Sequence, residues 1–319
     1  MTVSDPYPQS KFAIDGKDIV VEGLENSITF AIEVEGLGFI INETYNYDND
    51  GRVVIRGIAD LMSRCVYGEL NIGKQANAYR NGASFYINGR EKFARGIYAS
   101  RFKNPYDPNG HKYVMAVAPR RICYPGHPFY VSVIGQHSVA LYNTNEQILA
   151  QEITGAPSSE GGAVYTSDYD PSIIFANQYQ NAAYMIIRNE MRVDIAREDC
   201  PDAVDVRFLN RYDVMESLVA HHMTEKPAVQ DNVSLMGGRR TRFTVKSNTD
   251  YTLYSGRLKH QEEFDTWQDL LTSRRAQILW KGQWVDIIVT KANYTRQRRH
   301  FYGSQVEISF QTANPSMLL

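Results

Sequence analysis

Residues 203–218, AVDVRFLNRYDVMESL, decide how the rest of the chain is read. Val204, Val206 and Phe208 alternate with Asp205 and Arg207, the period-two pattern of a strand with one buried face. Asn210, Arg211, Tyr212 and Asp213 then interrupt it with residues that reverse a chain. Apolar residues resume at Val214, Met215, Leu218 and Val219. The segment therefore predicts a strand, a tight corner and a second strand. Phe208 is the expected core anchor, and Asn210 is expected to bond backbone groups of the turn. A Glu, an Asp and a Tyr converge on the corner, but no catalytic motif lies on it.

The same short, broken alternation runs outward in both directions. Ahead of the corner, strands are expected at 19–21, 28–34, 39–47, 52–58, 83–87, 92–102, 112–117, 121–123, 129–134, 172–175, 182–187 and 192–195. Asp48-Asn49-Asp50-Gly51 reads as a hairpin turn, because Asp-Gly tolerates the positive φ such turns need. Residues 59–66 fit a short helix. Behind the corner, 239–246 and 252–258 read as a strand pair joined through Ser247, Asn248, Thr249 and Asp250, with closing strands at 276–280, 284–290 and 305–311. The convincing helix is 261–273. Its Phe264, Trp267, Leu270 and Leu271 fall at helical spacing, Glu262 and Glu263 sit in its first turn, and Arg274 and Arg275 follow its end.

The Gly-, Pro- and Ser-rich run from Gly155 to Gly162 suits a linker or a long loop. The expected architecture is mainly β: a β-sandwich-like domain over 1–154, then a β-rich domain over 155–319 whose one helix packs on a small antiparallel sheet.

At 319 residues with 43% hydrophobic content, the chain can bury one full core or two. A net charge of −2 argues against nucleic acid as a partner. The sign is uneven, however: residues 236–300 hold thirteen Lys and Arg against six acids, which is +7 and leaves −9 elsewhere. Such polarity suits head-to-tail packing of copies, and equally a plain solvated surface. Cys65, Cys123 and Cys200 are far apart, as expected for reduced thiols in a chain assembled in a cytoplasm. No signal peptide or membrane span is expected, since no window approaches eighteen consecutive apolar residues.

Several motifs are weighed against plainer readings. Residues 68–75, GELNIGKQ, nearly spell a phosphate-binding loop, but Gln75 replaces the hydroxyl that holds Mg²⁺. Asn46, Asp48, Asp50 and Gly51 copy the first half of a calcium loop, but the acid due six residues later is Gly57. His221 and His222 are adjacent and point to opposite faces of a strand. No cofactor or metal is expected. The Tyr-rich front half (Tyr45, Tyr47, Tyr79, Tyr86, Tyr98, Tyr106, Tyr113, Tyr124 and Tyr130) fits core packing, or a face that stacks on sugars. Arg239, Arg240, Arg242 and Arg296, Arg298, Arg299 are candidate interface residues for an acidic neighbour, against the reading of ordinary solvated charges.

The corner also carries a resemblance. Phe208, Asn210, Tyr212 and Glu216 fill the places of an aromatic-x-Asn-x-(Tyr or Phe)-x-x-x-Glu corner found in tail-region structural proteins of phages and prophages of gut bacteria. Asp213 stands where that corner usually has Gly. The closing residues 254–313 separately resemble the ends of such virion proteins, where a helix lies on a small sheet. The resemblance implies a tail tip, baseplate or distal-tail-like subunit, found in the virion and assembled in the host cytoplasm. Its partners would be copies of itself, as in a ring, and other tail proteins, and it would have no enzymatic activity. A carbohydrate-binding or adhesin module stays open as the alternative, and so does a glycan-active enzyme with an unrecognised pair of carboxylates.

Overall fold

The computed structural model describes residues 1–8, 11–106, 113–160, 162–198, 200–236, 239–293 and 305–313; for 228–236 and 239–248 it describes the backbone alone. The fold is mainly β, with five sheets wrapped around three apolar cores.

The front body pairs a three-stranded sheet (Thr2–Val3, Ile19–Glu22, Arg52–Ile55) with a four-stranded antiparallel one in the order Gly38–Tyr45, Ile28–Val34, Tyr79–Ile87, Arg90–Tyr98. Alternating residues such as Phe30, Ile32, Phe85 and Ile87 fill the space between them. The helix Ile58–Cys65 seals one side with Ile58 and Met62. The Asp48–Gly51 turn forms, with Asp48 Oδ1 accepting from Asp50 N at 3.0 Å and Arg52 N at 2.9 Å. It does not make a hairpin as expected: the strands on either side of it enter different sheets. Local turn chemistry is indifferent to which sheet each strand later joins.

The middle body has a five-stranded sheet in the order Ile148–Gly155, Gln136–Tyr142, Tyr184–Ile187, Met191–Ile195, Arg120–Cys123. A three-stranded sheet (Tyr130–Ile134, Val164–Asp168, Gly73–Lys74) accompanies it. Tyr130–Ile134 is buried along its whole length. It faces one core with Val131 and Val133, reaches the front core with Ile134, and enters a small separate cluster with Tyr130. The boundary expected after residue 154 falls at the end of Ile148–Gly155, where Thr154 still pairs with His137. Strands from beyond it complete both sheets of this body.

The C-terminal body is a seven-stranded sheet in the order Met215–Ala220, Val204–Leu209, Ala276–Trp280, Gln283–Asn293, Glu307–Thr312, Arg239–Tyr254, His222–Met236. The helix Gln261–Leu271 packs on it through Phe264, Trp267 and Leu270. Glu263 Oε2 accepts the His260 N–H at 3.2 Å and so closes the helix start. The break expected at 247–250 is absent: Arg239–Tyr254 is one strand, paired with His222–Met236 from Tyr254↔His222 to Arg239↔Met236. A polar stretch persists as strand because a two-stranded ribbon is set by its partner's backbone rather than by burial of one face.

Candidate functional site

The corner hairpin, Val204–Leu209 and Met215–Ala220, is where the three bodies meet. Val206 and Phe208 enter the C-terminal core, while Tyr212 and Val214 enter the front core. Tyr212 lies 5.4 Å from the Phe12 ring, centroid to centroid. Leu209 and Met215 pack with Leu70, Tyr130 and Trp284 in a small cluster between them. One short hairpin thus contributes side chains to several cores.

Asn210 and Glu216 are buried, and their side chains bond both within the hairpin and to segments outside it. Asn210 Oδ1 accepts from Tyr212 N at 2.9 Å, which fixes the turn. Asn210 Nδ2 donates to Glu216 Oε2 and to Met115 O, each at 2.7 Å. Glu216 Oε1 receives Arg121 Nη1 at 2.6 Å, and Arg121 Nη2 donates to Ser217 O. The Arg121 guanidinium also lies over the Phe129 ring, 4.9 Å from its centroid. Arg211 grips Asp269 of the C-terminal helix with Nε at 3.1 Å and Nη2 at 2.9 Å. Burial nonetheless pushes the Asp269 carboxyl above its usual range.

Asp213 takes the position with φ +48°, in the left-handed region that suits Gly and is tolerated by Asp and Asn. Arg101 Nε stands 2.6 Å from one of its oxygens and Arg274 Nη2 3.5 Å from the other. Neither oxygen has an aligned hydrogen bond among the described residues, and the two guanidiniums hold it chiefly by charge. Burial outweighs both arginines and lifts the Asp213 carboxyl to about 6. Asp213 O accepts from Gly68 N at 2.6 Å, and a Cβ on Gly68 would come within 2.9 Å of that oxygen. Each corner carboxylate is thus matched to a guanidinium from another segment. Such an arrangement fastens bodies together.

Phe208, Asn210, Tyr212 and Glu216 all converge here. Arg101, Arg121 and Asp269, which no sequence pattern marks, complete the site with Arg274, read in the sequence only as following the helix end. Arg121 is 95 positions from Glu216, so no local spacing pattern marks their pairing. The candidate interface residues lie elsewhere. Arg239, Arg240 and Arg242 are on the strand Arg239–Tyr254, where only the backbone is described, and Arg296, Arg298 and Arg299 lie outside the described residues.

The decoy motifs resolve into local structure. Gln75 is buried, and its side chain closes the 68–75 loop by accepting from Glu69 N and donating to Asn71 O, both at 2.7 Å. His221 Nε2 meets the Tyr124 hydroxyl at 2.8 Å, while His222 stacks on Tyr254. Among the tyrosines, Tyr98 and Tyr130 are buried and Tyr79 stacks on Tyr98, whereas Tyr47, Tyr106 and Tyr113 are exposed on separate segments.

The surface offers a second feature. Beyond Tyr251, where Arg239–Tyr254 leaves Glu307–Thr312, its only strand partner among the described residues is His222–Met236. A two-stranded arm therefore runs from about Lys226 to Met236, roughly 35 Å at 3.3 Å per residue. The edge strand Ile148–Gly155 exposes Ile148, Leu149 and Ile153, and the edge strand Gly38–Tyr45 exposes Phe39. No helix among the described residues is long and apolar enough to cross a membrane.

No protein-family model matches the chain, and no curated protein matches it. Among the solved structures that show a partial likeness are a virion and a tail. One is described as the virion of a native gene transfer agent (GTA) particle: 9% identity, 37% of this chain, 95% of that chain, TM-score 0.24. The other is the tail of an empty GTA particle with C6 symmetry: 11% identity, the same coverage of each chain, TM-score 0.24. Neither score reaches the level that defines a shared fold.

Proposed function

We propose that this chain is a structural subunit of a phage or prophage tail, acting by assembly with copies of itself and with other tail proteins rather than by catalysis. The observation that carries this reading is the two-stranded arm of 226–250. An isolated two-stranded hairpin is marginally stable in water, because it exposes two rows of unpaired backbone groups and has no face to bury. An arm of this length is stable once it lies against another chain. The body behind it is what a repeated subunit needs, tied together at the corner by Arg121–Glu216, Arg211–Asp269 and Arg101–Asp213.

The tail position, whether tip, baseplate or distal ring, follows from the sequence resemblance at the corner and over the closing residues. The virion is then its location, and the bacterial cytoplasm its place of assembly. Sedimentation velocity across a concentration series, with negative-stain imaging, tests the reading. Rings or concentration-dependent oligomers are expected; a strict monomer at high concentration overturns it.

A further inference from the structure

We infer that the edge strand Ile148–Gly155 of one copy receives the free part of the arm strand Arg239–Tyr254 of a neighbouring copy as an added strand. This rests on the assembly reading above and names the surface that satisfies the arm.

Ile148–Gly155 is paired on one side with Gln136–Tyr142 and has no strand on the other among the described residues. Its outward N–H and C=O groups form an open template. The strand contains no Lys or Pro to blunt it, and its one bulge falls at Leu149, so 150–155 runs as a regular edge. It exposes Ile153 by 68% and Ile148 by 57%, with Leu149 beside them. A register shift leaves Leu149 as the extra residue of a bulge, so Ile148, opposite Tyr142, and Ile153, opposite Ser138, share one face and offer an incoming strand aliphatic neighbours there. The other apolar edge, Gly38–Tyr45, offers one exposed apolar side chain, Phe39, set 5.9 Å from the Tyr86 ring, while its Ile40 and Ile41 pack on the front core.

Charge selects the arm strand. Residues 143–155 carry Glu146 and Glu152 and no Lys or Arg. Residues 239–248 carry Arg239, Arg240, Arg242 and Lys246, no acid and no Pro. The arm's other strand contains Pro227, which lacks an N–H to donate, and its two charges, Lys226 and Asp231, cancel. The basic strand is therefore the one suited to an acidic, donor-hungry edge. Because the two surfaces differ, the contact is heterologous, and repetition closes a ring or extends a filament.

A photoreactive phenylalanine analogue placed at the exposed Gln151 of the full chain tests the contact. Irradiated oligomers are expected to give intermolecular adducts that map to residues 239–249. Ile153→Lys, a change at an exposed site, is expected to leave the melting temperature unchanged and raise the dissociation constant at least ~10-fold. Oligomers whose adducts map elsewhere, or that are indifferent to Ile153→Lys, overturn this contact while leaving assembly intact. A strict monomer overturns both.

Discussion

Asn210 and Glu216 hydrogen-bond to each other across the corner, Nδ2 to Oε2 at 2.7 Å, and both side chains are fully buried. The bond matters because of what each residue holds outside the hairpin. Asn210 reaches Met115 O and Glu216 reaches Arg121, so two residues of one turn tie the C-terminal strands to the middle body. A buried polar network of this kind is stable only while every member is satisfied.

Breaking the Arg121–Glu216 pair from one side leaves an uncompensated charge in the interior. Arg121→Leu is expected to cost about 3–5 kcal/mol. The double variant Arg121→Leu with Glu216→Leu should lose less than the sum of the two singles, since no buried charge remains. Urea denaturation of the three variants measures both the loss and the coupling.

Phe208 and Tyr212 are four positions apart yet anchor different cores. Phe208→Ala is expected to destabilise the protein by about 3–5 kcal/mol through the cavity it leaves in the C-terminal core. Tyr212→Ala should act at the front core beside Phe12. Hydrogen exchange separates the two, with protection falling first around Phe264 in one variant and around Phe30 in the other. An unchanged melting temperature in Phe208→Ala would refute the anchoring role.

Asp213 should make the protein more stable as pH falls from about 6 towards 3.8. Its folded carboxyl titrates at about 6 against an ordinary value of 3.8. Between these values the folded state binds a proton that the unfolded state does not, so stability drops as pH rises through the window, by up to about 1.4 kcal/mol per pH unit. Asp213→Asn keeps a residue that tolerates φ +48° and removes the titration. Asp269 and Glu263, also raised by burial, titrate in both proteins and largely cancel in the difference. The difference in stability between the two proteins, followed from pH 4 to 7, isolates the effect.

His137 should act in the opposite direction over nearly the same window. The ring is buried, its Nε2 meets the Tyr169 hydroxyl at 2.7 Å, and its Nδ1 lies 3.3 Å from Gly135 O. Burial lowers its pKa to about 4, so the folded state holds it neutral. Between about 4 and the ordinary 6.5 only the unfolded state binds the proton, and stability rises with pH until it levels above 6.5. Replacing it by Gln should flatten that limb of the stability profile, read by thermal melts across the same pH series.

The mainly-β class, the corner, the helix on its sheet and the face that helix buries are all legible in the amino-acid sequence. Each depends on side chains a few positions apart: Val204, Val206 and Phe208 alternate, and Phe264, Trp267 and Leu270 fall on one helical face. What the strands join is set by long-range pairing in the folded chain. The turn at Asp48 splits two sheets instead of closing a hairpin, and 239–254 runs unbroken because a distant strand pairs along it. The same holds for the charges that complete the corner. Arg121, Arg101 and Asp269 meet Glu216, Asp213 and Arg211 across separations of 58 to more than 100 positions. Contacts at such range obey burial and charge balance in the folded body, and local periodicity carries no trace of them.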